Sequence, residues 1–206
     1  MIAAVATLGA ASLAFLVSWF EPTPLDPLAW LILATSTALV VCFPYRVDSV
    51  SRSYFLDFDE ALLVIALLYL SPQNLVSAML IGYIAGAIMR RTPAYRILFN
   101  TGLRATSLTA GLTIATLVPI SLPQPWEFVA NALLVSAIYS LLNQVGVTWA
   151  VKLQHGGSYA DGLRKAVTRE LLQSWPMVVG YGLVAAIASL VTPFVLLLGT
   201  VPIAAQ

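Results

Sequence analysis

Residues 1–20, MIAAVATLGAASLAFLVSWF, carry no charged side chain, and apolar runs recur along the whole chain between short polar or proline-bearing joins. A helix needs about 20 apolar residues to cross a hydrocarbon core, and a lipid-facing backbone must satisfy its own hydrogen bonds. The runs therefore read as transmembrane helices. Composition agrees: charged residues are 9% of the chain, against about 25% in a soluble domain. The expected fold is all-α, a polytopic helix bundle in the lipid bilayer, with residues 1–206 as one integral membrane domain. A formal net charge of +1 argues against a nucleic-acid partner, which needs a concentrated basic face.

Eight runs are candidate spans: 2–20, 28–43, 61–70, 74–89, 97–120, 128–151, 172–191 and a short last one, 194–205. The first lacks the basic n-region of a signal peptide and is read as a retained span. Breaks fall at EPTPLDP, SPQ, SLPQPWE and Pro193, because proline cannot continue a helix interior. The basic residues fall at three connections: Arg46 and Arg52; Arg90, Arg91 and Arg96, with Arg104 beyond; and Lys152, Arg164, Lys165 and Arg169. Eight spans with both termini inside would place all three clusters in the cytoplasm, as the positive-inside rule requires. One alternative joins runs three and four into a single span kinked at Pro72, putting Arg46 and Arg52 outside. The loop 153–169 is open to two readings, an interfacial helix or a solvated loop.

Run three has ten apolar residues, about 15 Å of helix and half a hydrocarbon core. To span, it must begin earlier and carry Asp57, Asp59 and Glu60 with it. Run five poses the matching problem. Arg104 lies about 12 Å beyond Arg96 along a helix, deeper than snorkelling fully relieves. An intramembrane charge usually faces the bundle interior and finds a partner. The expected partner is Glu60 or Asp57, with Asp59 a further candidate. Asn100, four residues earlier, shares the helix face of Arg104. In run six, Asn143 and Gln144 lie deep, near Tyr139 and Ser140; they read as interhelical glue or as pocket lining. Ala78, Gly82 and Gly86 form a stripe at spacing four that allows close helix approach, within the protomer or in a dimer.

Cys42 and His155 are each the sole residue of their type, so no disulfide framework and no Cys or His metal cluster is expected. No phosphate-cradling glycine loop, HExxH or GxSxG occurs, and no cofactor is implied. DFDE at 57–60 is a single acidic cluster of the kind that binds a divalent cation at a membrane face.

From run three onward the order of features resembles the N-terminal MASE-type membrane sensor domains of bacterial signalling proteins. The resembling stretches are FDEALLVIALLYLSPQNLVSAMLIGYIAGAIMRR, AYRILFN, YSLLNQVGVTWAV and ELLQSWPMVVGYGLVAAIASLVTPFVLLLGTVPI, covering roughly 55–204. That resemblance implies a non-enzymatic sensor or anchor in the bacterial inner membrane. It would act as a homodimer and feed a cytoplasmic output module or a partner chain. Glu60, Asn100, Arg104, Asn143 and Gln144 would line a responsive or ligand-binding polar core. Two further readings stand beside it: a subunit similar to the substrate-capturing components of vitamin uptake systems, and a lipid-modifying membrane enzyme using DFDE.

Overall fold

The structure, a computed structural model, describes residues 1–21, 23–43, 45–48, 53–56, 59–118, 120–123, 126–156 and 158–169, together with the pairs 175–176, 179–180 and 183–184. Among the described residues seven helices carry the fold: α1 (Ile2–Trp19), α2 (Pro27–Cys42), α3 (Asp59–Ala66), α4 (Pro72–Met89), α5 (Ala94–Leu117), α6 (Trp126–His155) and α7 (Tyr159–Arg169). Helix starts follow local chemistry. Pro27 opens α2 with its φ already helical, and Asp26 Oδ1 accepts from Leu28 N at 3.0 Å and Ala29 N at 3.1 Å. Pro72 opens α4 in the same way.

Contacts between helix ends give the chain direction. Gln73 Nε2 donates to Phe20 O at 2.7 Å and Asn74 Nδ2 to Pro24 O at 3.3 Å, so α4 begins beside the α1–α2 join. At the far end Arg90 Nη1 donates to Val41 O at 3.0 Å, so α2 and α4 run parallel. We name these the proline end (Pro24, Pro72) and the arginine end (Arg90, Arg91, Arg96). Small residues set the tightest contacts. A Cβ on Gly82 would meet Ala34 O and Thr37 Cβ, and one on Gly86 would meet Ala38 O, so the Ala78-Gly82-Gly86 stripe seats α4 on α2 within the chain. α1 and α5 also run parallel, crossing where Gly9 faces Gly102 and where Ser12 Oγ donates to Thr106 Oγ1 at 3.4 Å.

α3 corrects the expected span count. Its eight residues, about 12 Å of helix, cannot cross a bilayer, and all eight are buried inside the bundle. It starts at mid-depth and runs toward the proline end, where Tyr69 and Leu70 share a cavity wall with Ala29 of α2. The chain turns there and α4 runs back, so runs three and four are two helices and not one kinked span. The polar stretch before α3 also differs from expectation. It contains a hairpin of β1 (Tyr45–Asp48) and β2 (Ser53–Leu56), antiparallel, with Tyr45 opposite Leu56 and Val47 opposite Tyr54. The period-two pattern Tyr-Arg-Val-Asp in β1 suits such pairing.

Three described helices, α1, α4 and α6, are long and apolar enough to cross a membrane; α2, at 16 residues, is apolar but shorter. α5 has 24 residues, yet its two arginines, Asn100 and six serine and threonine residues dilute its hydropathy. Thus the described helices supply three candidate spans by length and hydropathy, in place of the eight read from the runs. Run seven is described only as helical pairs, Val179 among them packing on Val64 and Ile65 of α3, and run eight lies outside the described residues. α7 resolves the loop 153–169: Tyr159, Gly162, Leu163, Ala166 and Val167 are half-buried at helical spacing, while Asp161, Arg164 and Lys165 face outward. Gly162 packs over Thr148 of α6.

Candidate functional site

α3 brings its first turn, Asp59 and Glu60, into the middle of the bundle. An acidic pair at a helix N-terminus is favoured by the backbone dipole, but burial away from water demands partners. α5 supplies the cation. Arg104 lies about 15 Å along α5 from Ala94 and is 8% exposed. It forms an ion pair with Asp59, which is 1% exposed. α6 closes the group through Tyr139: Arg104 Nη1 donates to Tyr139 Oη at 2.6 Å, and Tyr139 Oη donates to Asp59 Oδ2 at 3.3 Å. One residue on, Ser140 Oγ donates to Glu60 Oε1 at 2.6 Å. α4 supplies the last wall. The Arg104 guanidinium carbon sits 4.6 Å from the centroid of the Tyr83 ring, a cation–π contact, and Asn100 Nδ2 donates to Tyr83 Oη at 2.9 Å.

The described ion pair therefore joins Arg104 to Asp59, the neighbour of the expected Glu60; Asp57 lies outside the described residues. Glu60 meets α6 through Ser140. Asn100 does lie beside Arg104, linked to it through Tyr83. Asn143 and Gln144 are half-buried one turn past Tyr139, toward the arginine end. Asp59 and Glu60, the second half of DFDE, face the bundle interior and not a membrane surface. Among the described residues no three His, Cys, Asp or Glu side chains gather into a metal site.

Tyr83 was missed by sequence reasoning, and Tyr139 and Ser140 were noted only as neighbours. Their signal was depth: Tyr83 is the twelfth residue of α4 and Tyr139 the fourteenth of α6, away from the helix ends where interfacial tyrosines sit. Compared with protein-family profiles, curated proteins and solved structures, the chain matches none. The site has to be interpreted from its own geometry. An arginine, two carboxylates, two tyrosines, a serine and an asparagine from four helices are directed largely at one another. Such a group can fix helix register, and it can also hold two packings of the same helices apart in energy.

Proposed function

We propose that this chain is a non-enzymatic sensor or anchor domain of a bacterial inner membrane, with the Asp59–Arg104 core as its responsive element. The observation that carries the reading is the buried ion pair. An intramembrane charge is costly and most often functional, and this one ties α3, α5 and α6 together, with α4 against its face. A shift of any one helix changes the partners of the other three.

The proposed topology puts the arginine end in the cytoplasm, since Arg90, Arg91, Arg96 and Lys152 gather at it. The hairpin and α3 together would count as one outward passage, from the arginine end to the proline end, and both chain termini would lie inside. α7, with one apolar and one basic face, would rest at the inner membrane surface. The reading calls for a homodimer that passes its state to a cytoplasmic output module or partner chain. Native mass spectrometry of protein released from a mild detergent tests it. A dimer is expected. A monomer carrying one small molecule in stoichiometric amount would overturn the signalling reading in favour of substrate capture.

A further inference from the structure

Residues 90–96, RRTPAYR, join α4 to α5 at the arginine end and carry three arginines, all exposed. Arg91 stands in an unusual backbone state. Arg91 N donates to Ile88 O at 2.8 Å and Thr92 N to Ala87 O at 2.9 Å, which closes α4 as a Schellman turn. That turn needs a left-handed residue just past the helix end, and Arg91 supplies it with φ 56°. Glycine fills such a position without steric cost, and Arg91 is the one non-glycine residue at positive φ among the described residues. The chain thus keeps a cation where the backbone favours glycine. The rest of the protein gives these cations little to hold. Arg90 Nη1 donates to Val41 O at 3.0 Å and Arg96 Nε to Tyr95 Oη at 3.1 Å. Among the described residues Arg91 has no side-chain hydrogen bond, and none of the three forms an ion pair.

Residues held in a strained backbone state concentrate where a ligand is clamped. What these arginines would clamp follows from their chemistry and their surroundings. A guanidinium is a planar fork of N–H donors with no acceptor, matched to two oxygens of one phosphate. All three bases of the turn are arginine and none is lysine. The surroundings are apolar. Ile88 and Met89 on the last turn of α4 and Leu98 near the start of α5 are exposed, each within about one turn of an arginine. Tyr95, also exposed, stands between, as tyrosines do at a membrane surface. A soluble anion has no use for that apolar surface; a lipid joins a phosphate to hydrocarbon and uses both. We infer that the α4–α5 turn binds the phosphate of an anionic phospholipid headgroup through Arg91, with Arg90 and Arg96 beside it and the lipid chains along Ile88, Met89 and Leu98. The inference rests on the proposed placement of the arginine end at a membrane surface, and it stands whether or not the chain signals.

The full chain in a mild nonionic detergent is given equal amounts of phosphatidylglycerol and phosphatidylcholine with matched acyl chains. The lipid it retains is read by native mass spectrometry. Phosphatidylglycerol is expected to be retained over phosphatidylcholine by about tenfold or more. Arg91→Gly decides whether the turn is the site. Glycine accepts the left-handed state, so thermal stability in lipid-free detergent should hold or rise, while the anionic preference falls by about fivefold. Arg164→Gln removes one exposed cation from α7 at the same end and should leave the preference within about twofold. Equal retention of the two lipids would overturn the inference. So would a loss on Arg164→Gln as large as that on Arg91→Gly, which is diffuse attraction and not a site. Lower stability of Arg91→Gly with an unchanged lipid preference would make Arg91 a scaffold residue and overturn it too. Displacement of phosphatidylglycerol by an equal concentration of glycerol 3-phosphate would assign the turn to a soluble phosphate ester in place of a lipid. Should Arg91→Gly fail to fold, Arg91→Gln repeats the lipid measurement. The lipid ratio is read apart from the oligomeric state, so a monomer would remove the signalling reading and leave this one standing.

Discussion

Two polar regions sit in this apolar bundle, and they are built oppositely. At mid-depth, Asp59, Arg104, Tyr139, Tyr83 and Asn100 converge and bond to each other. At the proline end, Thr116, Glu127 and Asn131 line a cavity, and Asn131 Oδ1 meets no hydrogen-bond partner among the described residues. The first group bonds across four helices, whereas the Thr116 hydroxyl of the second donates within its own helix, to Thr113 O at 2.7 Å. A group whose members bond one another across helices specifies helix positions. The two also share supports. Leu67, just after α3, and Val135, one turn before Tyr139 on α6, belong to the cavity wall.

The largest expected effect comes from breaking the closed group at its charge. Arg104→Met strands the Asp59 carboxylate in the core and should cost about 3–5 kcal/mol of stability, read by denaturant titration in detergent or by loss of folded protein on expression. The companion variant Arg104→Met with Asp59→Leu removes both charges and should recover most of that loss. Failure of the double variant to recover would mean that Asp59 is not the dominant partner of Arg104.

Next in size is the seam that seats α4 on α2. Gly82→Leu drives a side chain against the Ala34 carbonyl and Thr37, neither of which can move without its helix, and should cost about 1–3 kcal/mol. Tyr139→Phe is expected to cost a similar amount or somewhat less, about 1–2 kcal/mol, since Arg104 and Asp59 lose a shared hydroxyl but keep each other. Thermal unfolding followed by circular dichroism orders the three. A Tyr139→Phe loss as large as that of Arg104→Met would make the hydroxyl, and not the ion pair, the centre of the group.

Much of this was legible in the residues, and the boundary is physical. α1, α2, α4 and α6 follow from uninterrupted apolar length, and Arg104 stands out because an arginine within an apolar run has few solutions. Which of three neighbouring acids it meets depends on the azimuth of α3, and azimuth is a tertiary property. α3 itself read as a span because ten apolar residues look alike whether they cross lipid or fill a bundle centre. Its true end shows only when Leu67 to Leu70 turn toward Pro72. Tyr83 and Tyr139 fall among the residues counted as hydrophobic in the composition, so the count hides their hydroxyls. The cavity depends on how α1, α5 and α6 diverge beyond the Gly9–Gly102 contact, and no single run records that divergence.

The smallest expected effect is the sharpest test of the contrast. Asn131→Leu removes an amide whose oxygen has no partner among the described residues and replaces it with an apolar side chain of similar size. Were Asn131 a member of a satisfied group, the change would cost about 1–3 kcal/mol, as with Tyr139→Phe. With its acceptor unmet among the described residues, the change should lie within about 0.5 kcal/mol of neutral or be slightly stabilising. Thermal unfolding of both variants makes the comparison directly. A neutral Asn131→Leu beside a costly Tyr139→Phe separates a polar group that holds helices together from a side chain that does not. Equal losses would show that Asn131 is part of the scaffold, and the distinction between the two regions would fall.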